Sequence, residues 1–361
     1  MYIISDINFF LFFLIFLFLV FFSVFSIIKS SIIIDRTIFY FSFFLFVLFI
    51  LNKTGHGVDE ITYLNSYKDF LVNKNGFKFE IGFEILYDFL ELINLNPIYF
   101  NSIISILLLT LMFFVVNKVV TKNRSIVFLM LIFSGLYLDL SFNIYRQAFS
   151  CLFFILSIYY FTERKDKKNF FLFFVISISF HWSVSIIYVI FILLFLFPKS
   201  IYKKLLLLSI ILHFIVIIYP INGIKYIDFT FLEMLGIGDI SNGIKGYILN
   251  SDGSFYNTTF VWKIIILFPV IYSSIFIYFN YRNDKYINYY ILLILYSFVF
   301  IGMSYSFRNY YWAIIFIPFI FSKYISNKVD YNLIFIIIFM IVNAILGFYS
   351  SSILKSIYLS G

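Results

Sequence analysis

Asn169 to Phe197 reads NFFLFFVISISFHWSVSIIYVIFILLFLF, and how often this run crosses a membrane decides the topology of the whole chain. A span needs about 20 largely apolar residues. This run therefore allows one long tilted helix, or a hairpin of two short helices turning near His181 and Trp182. Charge chooses between them. With two passes, the short basic loops all fall on one side: Lys118, Lys122 and Arg124; Arg164, Lys165, Lys167 and Lys168; Lys199, Lys203 and Lys204; Arg282 and Lys285. Loops rich in Lys and Arg stay in the cytoplasm. The turn at His181 then faces outward.

The rest of the chain fits this reading. Of 361 residues, 63% are hydrophobic and 12% charged, with 55 Phe, so the solvent for most of the chain is lipid and a soluble globular domain is excluded. The excess of Phe, Ile, Tyr, Asn and Lys is what an AT-rich coding sequence gives, so Phe content by itself says nothing about function. The expectation is an all-α integral membrane protein, one polytopic domain over residues 1–361, with about 12 transmembrane helices. They are Phe9–Ile28, Thr37–Leu51, Ile98–Asn117, Ser125–Leu140, Ile144–Phe161, Asn169–His181, Val184–Phe197, Leu205–Pro220, Thr259–Phe279, Ile287–Met303, Asn309–Tyr324 and Asn332–Tyr349. Twelve passes put both termini outside. The first run has no basic residue before it and no small-residue cleavage pattern after it, so it reads as a retained helix and not a signal peptide. The lone Cys151 lies in an apolar run and reads as a small buried hydrophobe.

Two long extracytoplasmic loops remain, residues 52–96 and 221–258, and recognition concentrates in such segments. The first predicts a helix over Asp59–Phe70, a turn at Asn73–Gly76 and an amphipathic helix over Glu80–Ile93. The second carries six glycines, between 223 and 253, and suits an irregular lid.

Few residues can carry chemistry. Arg146, in Asn143-Ile-Tyr-Arg146-Gln147-Ala148, stands in an otherwise apolar helix, where a cation costs about 2.5 to 3.5 kcal/mol at mid-bilayer and less near an interface. Either it pairs with Asp139 or snorkels outward, or its fork binds the phosphate oxygens of a lipid carrier. Arg308, in Ser304-Tyr-Ser-Phe-Arg308-Asn-Tyr310, repeats the situation, and one diphosphate would satisfy both arginines. His181 lies in Ser179-Phe-His-Trp-Ser183, and a lone histidine there is either hydrogen-bonded structure or part of a site. His56, His181 and His213 lack metal-site spacing. Among the carboxylates, Glu84, Asp88 and Glu91 read as a solvated acidic face, whereas Asp59, which shares a helical face with Tyr63, and Glu80 suit a base or acceptor facing a sugar hydroxyl. No Gly-rich phosphate loop and no Asp-x-Asp pair is present, which argues against a cytoplasmic sugar-nucleotide enzyme.

In order and spacing, Asp59-Glu-Ile-Thr-Tyr63, Glu80-Ile-Gly-Phe83, Tyr145-Arg-Gln147, Phe180-His-Trp-Ser183 and Arg308-Asn-Tyr-Tyr311 resemble the EpsG-like branch of the Wzy-type oligosaccharide repeat-unit polymerases. The similarity is strongest over residues 50–200. It implies a GT-C-like membrane glycosyltransferase in the bacterial inner membrane, making O-antigen, capsule or exopolysaccharide. It further implies metal-independent, inverting transfer on the outer face, with undecaprenyl-diphosphate-linked glycans as donor and acceptor. Membrane lipid, a chain-length regulator and a flippase would be its partners; no cofactor and no nucleic acid is involved. Carried over, Arg146 and Arg308 hold the donor diphosphate, His181 sits beside it, Asp59 or Glu80 faces the acceptor, and Tyr63, Gln147 and Tyr311 support. Two rival readings are an O-antigen ligase, which would share the arginines, and a glycan transporter or flippase, which would place its polar groups at the bilayer midplane in related halves.

Overall fold

A computed structural model describes residues 2–51, 58–74, 79–134, 144–219, 255, 260–303 and 307–350. Among these the chain is all-helical. The expected lid at 221–258, apart from Phe255, and Asp139 and His56 lie outside the described residues. The chain divides into two compact units, residues 1–186 with 318–361, and residues 187–317.

The first unit opens with α1 (Tyr2–Ile28) and α2 (Ile32–Leu51), then α3 (Val58–Val72), α4 (Ile81–Leu92), α5 (Phe100–Val119) and α6 (Arg124–Ile132). It continues with α7 (Tyr145–Tyr159) and α8 (Lys167–Phe180). α1, α2, α5 and α6 pack into a bundle, and α5 also supports α7. A buried carboxylate organises this bundle. Asp35 accepts hydrogen bonds from the backbone N–H groups of Arg124 (3.1 Å) and Ser125 (3.0 Å) and from the Ser125 hydroxyl (2.6 Å). It therefore caps the N-terminus of α6 from another helix, where a negative charge meets the positive end of the helix dipole.

α7 and α8 form the tightest hairpin. The helix leaves α7 through a π turn at Tyr160–Arg164 and ends in a left-handed Lys165, φ 55°. Asp166 then starts α8 by accepting from the Asn169 N–H (3.1 Å). Small hydroxyl residues seven apart let the two backbones approach: Ser150 donates to the Ser177 carbonyl (2.8 Å) and Ser157 to that of Phe170 (3.3 Å).

The run from Asn169 to Phe197 folds as two helices. α8 stops at Phe180, His181 is extended (φ −159°, ψ 104°), and α9 (Val184–Leu196) begins three residues later.

α10 (Tyr202–Ile218), α11 (Phe260–Phe279), α12 (Lys285–Val299) and α13 (Phe307–Ile314) build the second unit. α10 packs on α11 and α12, and α13 on α11 and α12. His213 is buried here. Its Nδ1 donates to the Ser209 carbonyl (2.7 Å), so its Nε2 accepts from the Tyr310 hydroxyl (3.0 Å) and ties α13 to α10. The expected span Asn309–Tyr324 differs from the prediction. It is two short helices, α13 and α14 (Ile317–Ser322), parted at Ile315 and Phe316, because Pro318 has no N–H to give the Ile314 carbonyl and its ring crowds that carbonyl in a continuous helix. α15 (Tyr331–Ser350) follows and touches α1.

Large apolar side chains are exposed along α1, α2, α8, α9 and α10, among them Phe18, Phe44, Leu48, Phe171 and Ile192. Such surfaces are tolerated only in lipid, and the chain is a membrane protein. Ile32–Leu51, Pro97–Val119 and Lys199–Ile218 are each long and apolar enough to cross a bilayer; several other apolar helices are shorter.

Candidate functional site

α3 and α4 lie against the α5–α7–α8 part of the first unit and bring four of the predicted residues together. α3 buries Glu60, Tyr63, Tyr67 and Phe70 at helical spacing. The Tyr87 hydroxyl of α4 donates to the Tyr63 carbonyl (2.9 Å), and the rings of Tyr63, Phe83, Tyr87 and Phe100 pack in succession, tilted or edge-on, through this layer.

Gly82 sets the approach of α4 to α8. A Cβ there would come within 2.7 Å of the Ser179 hydroxyl and 2.8 Å of its carbonyl oxygen, closer than real contacts allow. The glycine of Glu80-Ile-Gly-Phe83 is thus required by a helix crossing two residues before His181. That crossing puts the start of α4 beside the end of α8.

Glu80 is the N-cap residue of α4, with extended backbone (φ −70°, ψ 153°), yet its carboxylate makes no cap hydrogen bond. A carboxylate at this position would ordinarily satisfy the free N–H groups of its own helix. Here it turns away, to Arg146 Nη1 and to His181 Nδ1 (3.1 Å). Arg146 Nε also donates to the Tyr63 hydroxyl (3.3 Å), and its guanidinium lies 4.5 Å from the centre of the Phe79 ring. Burial alone would raise the Glu80 pKa. The His181 hydrogen bond and the Arg146 charge outweigh it and hold the carboxyl down at about 2. Glu80 is therefore an anion at neutral pH and a poor proton acceptor. An imidazole whose Nδ1–H is oriented by a carboxylate keeps Nε2 as its basic nitrogen.

The anion that Arg146 needs is thus supplied by the protein itself. Two of the five N–H donors of a guanidinium meet Glu80 and Tyr63, and the others can bind an oxyanion.

Asp59 is on the first turn of α3 and partly exposed, and Gln147 is buried beside Arg146 on α7. Arg308, partly buried, and Tyr311, fully buried, belong to α13 in the second unit.

Sequence reasoning passed over Glu60, whose side chain is fully buried. The Tyr145 hydroxyl donates to Glu60 Oε1 (2.9 Å) and lies 3.2 Å from Asn101 Oδ1. Tyr145 precedes Arg146, and its ring packs 5.1 Å from that of Tyr63. Glu60 therefore braces the N-terminus of α7 through the Tyr145 hydroxyl. The signal was present: Glu60, Tyr63, Tyr67 and Phe70, spaced three, four and three apart, mark the buried stripe of α3.

The sequence model of the EpsG family matches residues 36–359. No curated protein and no solved structure matches the chain.

Proposed function

The chain belongs to the EpsG family, membership of which points to a membrane protein of the polysaccharide-polymerase type, and on that premise we propose that it joins undecaprenyl-diphosphate-linked oligosaccharide repeat units by inverting, metal-independent glycosyl transfer. We place the reaction on the outer face of the inner membrane. The observation that supports this reading is Glu80, an N-cap carboxylate that leaves its own helix to join Arg146 and His181.

In the proposed step the acceptor hydroxyl attacks the anomeric carbon of the donor. The bond from that carbon to the diphosphate oxygen breaks on the opposite side, and configuration inverts. The hydroxyl proton passes to His181 Nε2, and the electron pair leaves with undecaprenyl diphosphate. Glu80 orients the imidazole and offsets the charge it gains, as carboxylates do for catalytic histidines. The remaining N–H donors of Arg146 meet the phosphate oxygens as negative charge grows there, a placement that lowers the barrier because the cation is already fixed. Arg308 stays in the proposal on its sequence motif alone, and Asp59 as a further acceptor-facing carboxylate on the same footing.

The test is the profile of lipid-linked and surface saccharides in cells lacking the protein, compared with cells carrying wild-type or Arg146→Ala protein. The proposal predicts single repeat units and no long polymer in the first and third. Normal polymer without the protein overturns it. Long chains retained on undecaprenyl diphosphate would instead indicate a ligase.

A further inference from the structure

α4 has three faces, and among the described residues its neighbours bury only one. At about 100° per residue, Phe83, Tyr87 and Leu90 form the buried face, against Tyr63 and Tyr67 of α3 and Phe180 of α8. Glu84, Asp88 and Glu91 form an acidic edge, held in part by Lys74, which pairs with Asp88 at 3.0 Å and with Glu91. The third face is apolar and open: Ile81 is 62% exposed, Ile85 61%, Phe89 51% and Leu92 79%.

A helix bathed in water has no use for four open apolar side chains on one face, and a helix sunk in acyl chains would not carry three carboxylates. A helix lying flat at a membrane surface satisfies both faces. After Leu92 the large apolar side chains of Ile93, Ile98 and Tyr99 are also exposed, the last two in the span Pro97–Val119, which includes α5 and is long and apolar enough to cross the bilayer. Tyrosine at such a junction is a usual marker of the headgroup layer.

We infer that α4 is an interfacial helix whose Ile81, Ile85, Phe89 and Leu92 face is covered by the acyl chains of the adjoining leaflet, with Glu84, Asp88 and Glu91 in the headgroup water. The inference stands on the fold and does not depend on the glycosyl-transfer reading. It also fixes the depth of Glu80, the residue from which this helix starts, at the headgroup level.

The experiment uses the full chain with Cys151 replaced by Ser, carrying one nitroxide-labelled cysteine at a time, in vesicles of phosphatidylethanolamine and phosphatidylglycerol. Power-saturation EPR compares collisions with oxygen, which concentrates in lipid, and with a water-soluble nickel chelate. Labels at 85, 89 and 92 should favour oxygen by severalfold and labels at 84 and 88 should favour nickel. Equal nickel access at all five overturns the inference in favour of a water-exposed helix. Exclusion of both reagents at 85, 89 and 92, with immobilised spectra, overturns it in favour of a covering protein, whether a second copy or another chain. Leu92 is the most exposed of these positions, so its label reads the surface even where a substitution nearer Glu80 disturbs the fold.

Discussion

At the scale of the residue, the account rests on one carboxylate with two partners. Glu80→Gln removes the charge while keeping the shape, and should lower the polymerisation rate by about a hundredfold at normal protein level, the usual loss when a positioned histidine loses its orienting carboxylate. Arg146→Lys keeps the charge but loses the fork and should fall by a similar factor; a wild-type rate in both variants would remove the pair from the mechanism. The same carboxylate makes a pH prediction. Its pKa is held at about 2, below the ordinary 4.5, so its contribution to stability is complete above the ordinary value and is lost as pH falls toward the lowered one. That contribution is on the order of 2 to 3 kcal/mol. Thermal melts of detergent-purified protein from pH 6 to pH 3 should show a steeper acid loss for wild type than for Glu80→Gln, and parallel curves would deny the ion pair. Arg146, Glu80, His181 and Tyr63 were legible in the sequence because charged or polar groups in an apolar chain are conspicuous. Glu60 was not, because its neighbour Asp59 also shares a helical face with Tyr63, and a choice of face made at four-residue spacing hides a residue buried at three.

At the scale of the element, the crossing of α4 over α8 carries the site. Gly82→Ala should destabilise by about 1 to 3 kcal/mol, the range for overpacking a tight contact, and should reduce activity further by moving Glu80 away from His181. Ser179→Gly should not restore it, because the Ser179 carbonyl oxygen stands as close to the added carbon as the hydroxyl does. Full rescue would show that the contact is only between side chains. The helices of the first long loop were readable from apolar runs and turn residues, since each is determined within about a dozen neighbouring residues, whereas the hairpin at His181 was readable from the distribution of Lys and Arg among the loops of the whole chain. The break between α13 and α14 was not read, although Pro318 announces it, because the apolar run continues through it and periodicity alone does not register a missing N–H. The Asp35 cap on α6 was invisible for another reason: its two ends are about ninety residues apart in sequence, and no local pattern links them.

At the scale of the whole molecule, the membrane class follows from composition, and the family from an ordered set of short motifs. Orientation rests on the distribution of Lys and Arg. A cysteine at Asn65, exposed on α3, in a Cys151→Ser background should react with an impermeant thiol reagent in intact cells; protection there until the cells are broken would invert the topology. The central claim, that the Glu80, Arg146 and His181 cluster serves a repeat-unit polymerase, is tested most directly by purified protein in vesicles given a synthetic undecaprenyl-diphosphate-linked repeat unit from its own host, following chain length and released undecaprenyl diphosphate together. The account predicts one undecaprenyl diphosphate released for each repeat unit added by wild type, and about a hundredfold slower release by Glu80→Gln. Wild type that forms no chains, or Glu80→Gln that extends them at the wild-type rate, would contradict it.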